Sequence, residues 1–187
     1  MNGRFSYVID RENRVCEVSD EWLEFATANR ADPLGSSDVM GSILWDWIQD
    51  DETRQLYECL IEKVRSTGNA LTVPFRCDGP KVRRFMELQI RKGPNDKIEL
   101  ISELVREEDR PHQGLLDPAS ARSGEFLRMC SWCKTVPVSE GDWVEVEAAV
   151  RRLDLFDARE LPKISHTICP ACQTKLLGDV PGVPQPS

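Results

Sequence analysis

The chain has 187 residues, 40 % hydrophobic and 30 % charged, with a formal net charge of −8. That composition fits one ordinary domain plus a small one and excludes a disordered or fibrous chain, while the acidity counts against broad nucleic-acid binding, which needs a basic face. No apolar run approaches the ~20 residues that span a bilayer. The first ten residues carry no signal-peptide pattern, and the odd number of cysteines, 7, points to a reducing compartment, so the cytoplasm is the expected location.

In chain order, Phe5 to Asp10 and Arg14 to Ser19 read as short strands joined by the charged turn Arg11-Glu12-Asn13. Asp20 is placed to cap a helix running to about Asn29, with Trp22, Phe25, Ala26 and Asn29 on one face. Ala31 to Gly35 and the serines after it make a loop, and Gly41 to Ile48 gives a short apolar helical turn with two tryptophans. From Asp50 or Asp51 to Ser66 the pattern is helical: Leu56, Tyr57, Leu60, Ile61 and Val64 repeat at helical spacing, and Gly68 supplies a left-handed cap. The period then changes to two. Leu71, Val73 and Phe75 mark a strand near a sheet edge, because Pro74 cannot donate to a ladder. Cys77 to Pro80 turns the chain, Arg83 to Arg91 carries Met86, Leu88 and Ile90 on one face, and Lys97 to Arg106 carries Ile98, Leu100 and Leu104. Two strands, a set of helices and three antiparallel strands imply an α+β fold, one twisted sheet with helices on one face.

The remainder reads differently. Residues 109–124 are polar and interrupted by Pro111 and Pro118, as in a linker. Residues 125–177 form a small terminal unit. Asp142 with Glu145 has the spacing of a capping box opening a helix to about Leu153, with Trp143, Val146, Val150 and Leu153 as its stripe. Ile164 to Ile168 suits a short strand, and Pro170 suits the first turn of a helix continuing to Leu177. Residues 178–187 are rich in Pro and Gly and are expected to be disordered.

This unit holds two Cys-x-x-Cys pairs, Cys130-Ser-Trp-Cys133 and Cys169-Pro-Ala-Cys172, with 35 residues between them. Two residues between cysteines let a tight turn aim both sulfurs at one ion, and two such turns complete a tetrahedral thiolate shell, which suits zinc. Two disulfides and four core thiols are the alternatives. His166, three residues before Cys169, is a candidate for a hydrogen bond to a ligand sulfur or for an alternative ligand. About 50 residues cannot hold together on an apolar core alone, so the metal would supply folding free energy. A knuckle on a turn and a second pair at a helix start suggest a treble-clef-like zinc module.

The stretches Gly41-Ser-Ile-Leu-Trp-Asp-Trp-Ile48, Tyr57-Glu-Cys-Leu60 and Pro74 to Pro80 with Arg83-Arg84-Phe85-Met86 resemble a PAS domain over residues 1–108. Cys-x-Trp-Cys-Lys at 130–134, Trp143 and Ser165-His-Thr-Ile-Cys-Pro-Ala-Cys172 resemble the terminal segment of bacterial PAS proteins that end in four cysteines. The resemblance implies a sensory or protein-interaction role and names no small-molecule ligand. Residues 1–108 contain no histidine, so the usual axial ligand of a b-type haem is missing, and Cys59 lacks the sequence context of a flavin-reactive cysteine.

No nucleophile–base pair, phosphate loop or paired-carboxylate motif is present, so no enzymatic activity is expected. The reading is a regulatory sensor or adaptor that passes a signal by protein–protein contact, with a structural four-cysteine zinc site. A thiol redox switch that releases zinc on oxidation is the alternative. The expected partner is another protein or a second copy. It would meet the sheet face that presents Phe85, Ile101 and Val105, since those positions alternate with the buried set; the alternative is that the terminal unit folds back over this face through Trp143 and Val146. Lys81, Arg83, Arg84 and Arg76 form a basic group suited to an anion or an acidic partner, and Trp22, Trp45 and Trp47 are candidates to line a ligand cavity.

Overall fold

Alternating apolar residues on both sides of a central amphipathic helix give the first part of the chain its sheet. The computed structural model describes residues 3–28, 39–48, 50–156 and 158–177 and is α+β. Strands β1 (Arg4–Ile9), β2 (Val15–Val18), β3 (Leu71–Arg76), β4 (Val82–Lys92) and β5 (Ile98–Asp109) form one five-stranded sheet in the order β2-β1-β5-β4-β3. β1 runs antiparallel to β2 and to β5, from Arg4 opposite Glu103 to Ile9 opposite Ile98. Two compact units share the chain: Met1–Pro74 with Met86–Val105, and Phe75–Phe85 with Arg106–Ser187.

In the first unit, Asp10 makes the β1–β2 turn. Its carboxylate accepts the amides of Glu12 at 3.0 Å and Arg14 at 2.8 Å, and Asn13 takes the left-handed conformation at φ 61° that asparagine tolerates. Helix α1 (Asp20–Ala28) lies against β1. Its cap is Ser19 rather than the expected Asp20: the Ser19 hydroxyl accepts the Trp22 amide at 3.2 Å and the Ser19 carbonyl accepts Leu23. Asp20 instead puts its charge in the first turn, where it complements the helix dipole. The expected apolar side chains at Phe25, Ala26 and Asn29, and the loop from Ala31 to Gly35, lie outside the described side chains. A 3-10 turn covers Leu44–Trp47.

Helix α2 (Asp51–Thr67) matches its sequence signals. Asp50 caps it through Thr53 N–H at 2.8 Å, and Gly68 closes it at φ 72°. Leu56, Leu60, Ile61 and Val64 are buried, as are Met86, Leu88 and Ile90 of β4 and Ile98 and Leu100 of β5. The helix end is tied down where Arg65 donates to the Asp10 carbonyl at 2.7 Å and Lys92 donates to the Arg65 carbonyl at 3.0 Å. Pro74 sits in the edge strand β3, where its missing N–H breaks no interior ladder. Ile101, expected on an open face, is 2 % exposed: β5 buries Ile101 and Ser102 as well as Leu100, so both of its faces are covered there. Val105 is exposed as expected.

The second unit contains β6 (Arg122–Cys130), β7 (Val136–Ser139), β8 (Asp142–Val144), helix α3 (Val146–Arg152), β9 (Leu161–Thr167) and helix α4 (Pro170–Leu177). β6 pairs in parallel with β9, and β7 runs antiparallel to β8 around Gly141 at φ 74°. Leu115, Met129, Val136, Val146 and Ala149 form its buried core, with Leu127, Val150, Leu153 and Ile164 packed around it. The segment expected to be a linker, 109–124, places Arg110, Gln113 and Leu115 among the buried residues of this unit and continues into β6. The expected tail, 178–187, lies outside the described residues.

The capping box at Asp142 and Glu145 does not form. Asp142 and Trp143 belong to β8, and the Asp142 carboxylate takes Arg152 at 2.7 Å. Glu145 does precede α3, yet its side chain makes no cap bond. Both of its oxygens accept from Arg76, at 2.7 and 2.8 Å, and a charged guanidinium is a stronger donor than a neutral backbone amide.

Candidate metal centre

The four-cysteine site is built from a strand end, a turn and a helix start. β6 delivers Cys130, whose carbonyl accepts the Lys134 amide at 3.0 Å and whose amide donates to the Thr135 carbonyl at 2.8 Å, closing a tight knuckle. Lys134 occupies the left-handed region at φ 63°. The knuckle is fixed to the second pair by the Ser131 amide, which donates to Thr167 at the end of β9 at 2.8 Å. Pro170 then opens α4 at the position where a missing N–H costs nothing. The first-turn amide of Cys172 donates to Cys169 Sγ at 3.4 Å, and the Cys169 amide donates to Cys130 Sγ at 3.4 Å.

Cys130, Cys133, Cys169 and Cys172 thus come together as expected, with their sulfurs all within 4.8 Å of one another. Cys133 Sγ lies 3.6 Å from Cys169 Sγ. A disulfide needs ~2.05 Å, and all four are free thiols, so the disulfide alternative is not the state seen. Sulfurs each ~2.3 Å from one tetrahedral ion stand ~3.8 Å apart, close to the 3.6 Å between Cys133 and Cys169 and inside the 4.8 Å that spans the cluster. The four residues can therefore hold a metal ion. Cys130 and Cys169 are buried, whereas Cys133 and Cys172 are half-buried.

Charge cannot be shared evenly in such a cluster. Hydrogen bonds from Cys133, Cys169 and Cys172 hold the Cys130 thiol far below its ordinary range. Cys133 is raised by Cys130 but lowered by Cys169, Cys172 and Thr135, and comes to about 6. Cys169 and Cys172 are pushed up, each chiefly by Cys130. A full set of four thiolates packed this closely requires a positive ion among them. Lys134 supplies part of that charge from outside. Its ammonium donates to the Ser131 carbonyl at 2.7 Å. Burial pulls its pKa down, opposed by the nearby Cys77, Asp78, Cys130 and Cys133.

His166 is an exposed residue of β9 and stands outside this group of ligand atoms. The basic group expected to await an anion is already neutralised within the chain. Arg76 pairs with Asp78 and Glu145, Arg83 with Glu147 at 2.7 Å, and Arg84 with Glu107 at 2.9 Å. Lys81 is exposed. Phe85, expected on an open apolar face, is half-buried, with the guanidinium of Arg106 4.1 Å and that of Arg76 5.5 Å from its ring centre. The tryptophans serve separate contacts: Trp47 donates its indole N–H to Ser42 Oγ at 2.7 Å, Trp45 lies under Arg54 at 5.6 Å, and Trp22 is half-buried on α1. No helix among the described residues is long and apolar enough to cross a membrane.

Sequence reasoning missed the environment of the cluster. Lys134 is visible as the residue after Cys133, but its left-handed conformation has no local signal, since lysine does not favour it. Thr135, whose hydroxyl lies 3.0 Å from Cys133 Sγ, and Glu145, paired with a residue 69 positions earlier, carry no signal at all in a single sequence.

No family model matches the chain, and no curated protein matches it. Among solved structures, a domain of an HTR-like protein from Haloarcula marismortui is similar to part of the chain. Its TM-score is 0.40 and its identity 16 %, over 56 % of this chain and 99 % of that one.

Proposed function

We propose that this is a non-enzymatic regulatory sensor or adaptor, whose PAS-like first domain receives a ligand or partner and whose second unit is stabilised by a structural four-cysteine zinc site. The observation that carries the reading is the convergence of Cys130, Cys133, Cys169 and Cys172 on one point. Zinc is the ion that four thiolates at this spacing suit best, being borderline soft, tetrahedral and free of redox chemistry. The sensory role is supported by the order of elements in the sheet domain and by the lack of any catalytic constellation in the sequence. On this reading the protein works in the cytoplasm, where thiols stay reduced, and its signal leaves through contact with another protein or a second copy. Native mass spectrometry of protein purified without added zinc tests this directly. One zinc per chain is expected, and a reduced, metal-free protein with a fully folded second unit would overturn the metal assignment.

A second reading, the thiol redox switch, is favoured by the half-burial of Cys133 and Cys172, which places one residue of each pair nearer the solvent than its buried partner. Forming each disulfide removes two electrons from two thiolates. With peroxide as oxidant the O–O bond breaks, two protons are taken up, two waters form, and zinc leaves as the hydrated ion. Zinc release in step with peroxide added, reversed by reduction with zinc present, separates this role from a purely structural one.

A further inference from the structure

One group of contacts in the second unit serves neither the metal nor the apolar core. The hairpin tip Phe75–Phe85 belongs to this unit, and the backbone holding it comes from the knuckle. The Arg76 amide donates to the Trp132 carbonyl at 2.8 Å, and the Phe75 and Trp132 rings meet with centroids 6.0 Å apart. Trp132 lies between Cys130 and Cys133, so both acceptor and ring are placed by the sulfurs on either side.

The remaining anchors are ionic. Arg76 chelates Glu145 and bonds Asp78, Arg83 takes Glu147 at 2.7 Å, and Arg110 reaches Asp78 at 3.2 Å and the Gly79 carbonyl at 2.9 Å. The Asp78 side chain is 0 % exposed. Asp78 and Arg76 both belong to the hairpin, so undocking parts Asp78 from Arg110 alone, and a buried carboxylate that loses a guanidinium partner is strongly destabilised. Glu145 and Glu147 flank Val146, which with Ala149 packs on Met129 and Val136. Those two core residues bracket the knuckle in sequence. The glutamates of the ion pairs, at the start of α3, and the cysteine pair, at the end of β6, are therefore tied to one core.

We propose that the four-cysteine centre and the Phe75–Phe85 hairpin form one metal-dependent switch: a bound ion holds the hairpin docked on residues 130–147, and emptying or oxidising the centre releases it as a unit. This rests on the metal reading above and adds to it what the metal controls. Phe75 and Arg76 end β3 and Val82 to Phe85 begin β4, so the released segment is a turn with the adjoining strand ends rather than a free chain end.

Hydrogen exchange on the full chain tests the switch, with metal content measured on every sample. In zinc-loaded protein the amides of Arg76, Arg110 and Gln113, which bond across the edge of the hairpin to the carbonyls of Trp132, Lys81 and Pro80, should be protected. Chelation should speed their exchange about tenfold or more while leaving Leu56 to Val64 unchanged. Glu145→Gln, which touches no sulfur, should loosen the hairpin with zinc still bound. Because coupling between two sites is reciprocal, that variant should lose zinc affinity by the same factor. The switch is refuted if chelation removes the metal and exposes residues 130–135 but leaves the amides of Arg76, Arg110 and Gln113 protected. It is equally refuted if Glu145→Gln frees the hairpin at unchanged zinc affinity. Reduced protein that never binds an ion brings down the metal reading itself, and the switch with it.

Discussion

Lys134 donates its ammonium to the carbonyl of Ser131 at 2.7 Å, inside the knuckle that also carries Cys130 and Cys133. The half-buried cation therefore sits beside a cluster that, with a divalent ion on four thiolates, keeps a net charge of about −2. A positive group near a metal–thiolate site favours the deprotonated ligands and opposes their reprotonation. Its strained φ of 63° costs on the order of 1 kcal/mol for a residue with a side chain.

Lys134→Met should lower zinc affinity about tenfold, and Lys134→Gly, which relieves the backbone, should lose less stability than Lys134→Met. Competition with a chromogenic chelator reads the first, and thermal unfolding at saturating zinc reads the second. Unchanged affinity in both variants would assign Lys134 to the turn alone.

His166 points to a sharper distinction. It is exposed on β9 and absent from the group of ligand atoms. His166→Ala should therefore keep one metal per chain, whereas Cys169→Ser should lose it. If His166→Ala loses the ion and Cys169→Ser retains it, the histidine is a ligand and the four-sulfur assignment fails.

The sequence speaks most clearly where the signal is local. Leu56, Leu60, Ile61 and Val64 reveal α2 by their spacing, Gly68 its end, and Met86, Leu88 and Ile90 the face of β4. The cysteine pairs announce their own convergence, because two residues between sulfurs allow few other uses. What stays hidden depends on partners distant in sequence. Glu145 has the spacing of a helix cap, but Arg76 claims its carboxylate, and the basic group at Arg76, Arg83 and Arg84 reads as open until the fold brings Glu145, Glu147 and Glu107 to it. β7, a run of Val-Pro-Val-Ser, is too short to read without its partner β8. Ile101 escapes for the same reason, since alternation cannot reveal that a middle strand is covered on both faces.

Glu147 gives the second unit an acid-sensitive element. Burial raises its carboxyl pKa, but its backbone hydrogen bond and the guanidinia of Arg83 and Arg110 more than offset this, and the folded value lies below the ordinary one. A depressed folded pKa means that the stabilisation is present above the unfolded value, near ~4.3, and is lost as pH falls through the folded value. At constant free zinc, stability of the wild-type protein should fall more steeply below about pH 4.5 than that of Glu147→Gln, and the two curves should converge at the acid end. Parallel curves would show that the Arg83 pair contributes nothing in solution.

The segment 109–124 provides the last test, because its composition and its burial disagree. Prolines, serines and charges dominate it, yet Leu115 is 1 % exposed and shares a core with Met129, Val136, Val146 and Ala149. Its backbone is also engaged: Arg122 donates to the Leu115 carbonyl at 3.1 Å and to the Asp117 carbonyl at 2.8 Å, and the Gln113 amide donates to Pro80 at 2.8 Å. A true linker would tolerate Leu115→Ala within about 0.5 kcal/mol, as exposed sites do. A core leucine in a unit this small should cost about 2–5 kcal/mol, a large share of what such a domain has. Zinc adds stability in proportion to the logarithm of its concentration, so the loss should appear as a lower unfolding midpoint at every zinc level rather than as lost metal stoichiometry. Denaturant unfolding of wild type and Leu115→Ala at two fixed free-zinc concentrations measures it. A change under about 0.5 kcal/mol at both would return the segment to the solvent and leave the core without its leucine.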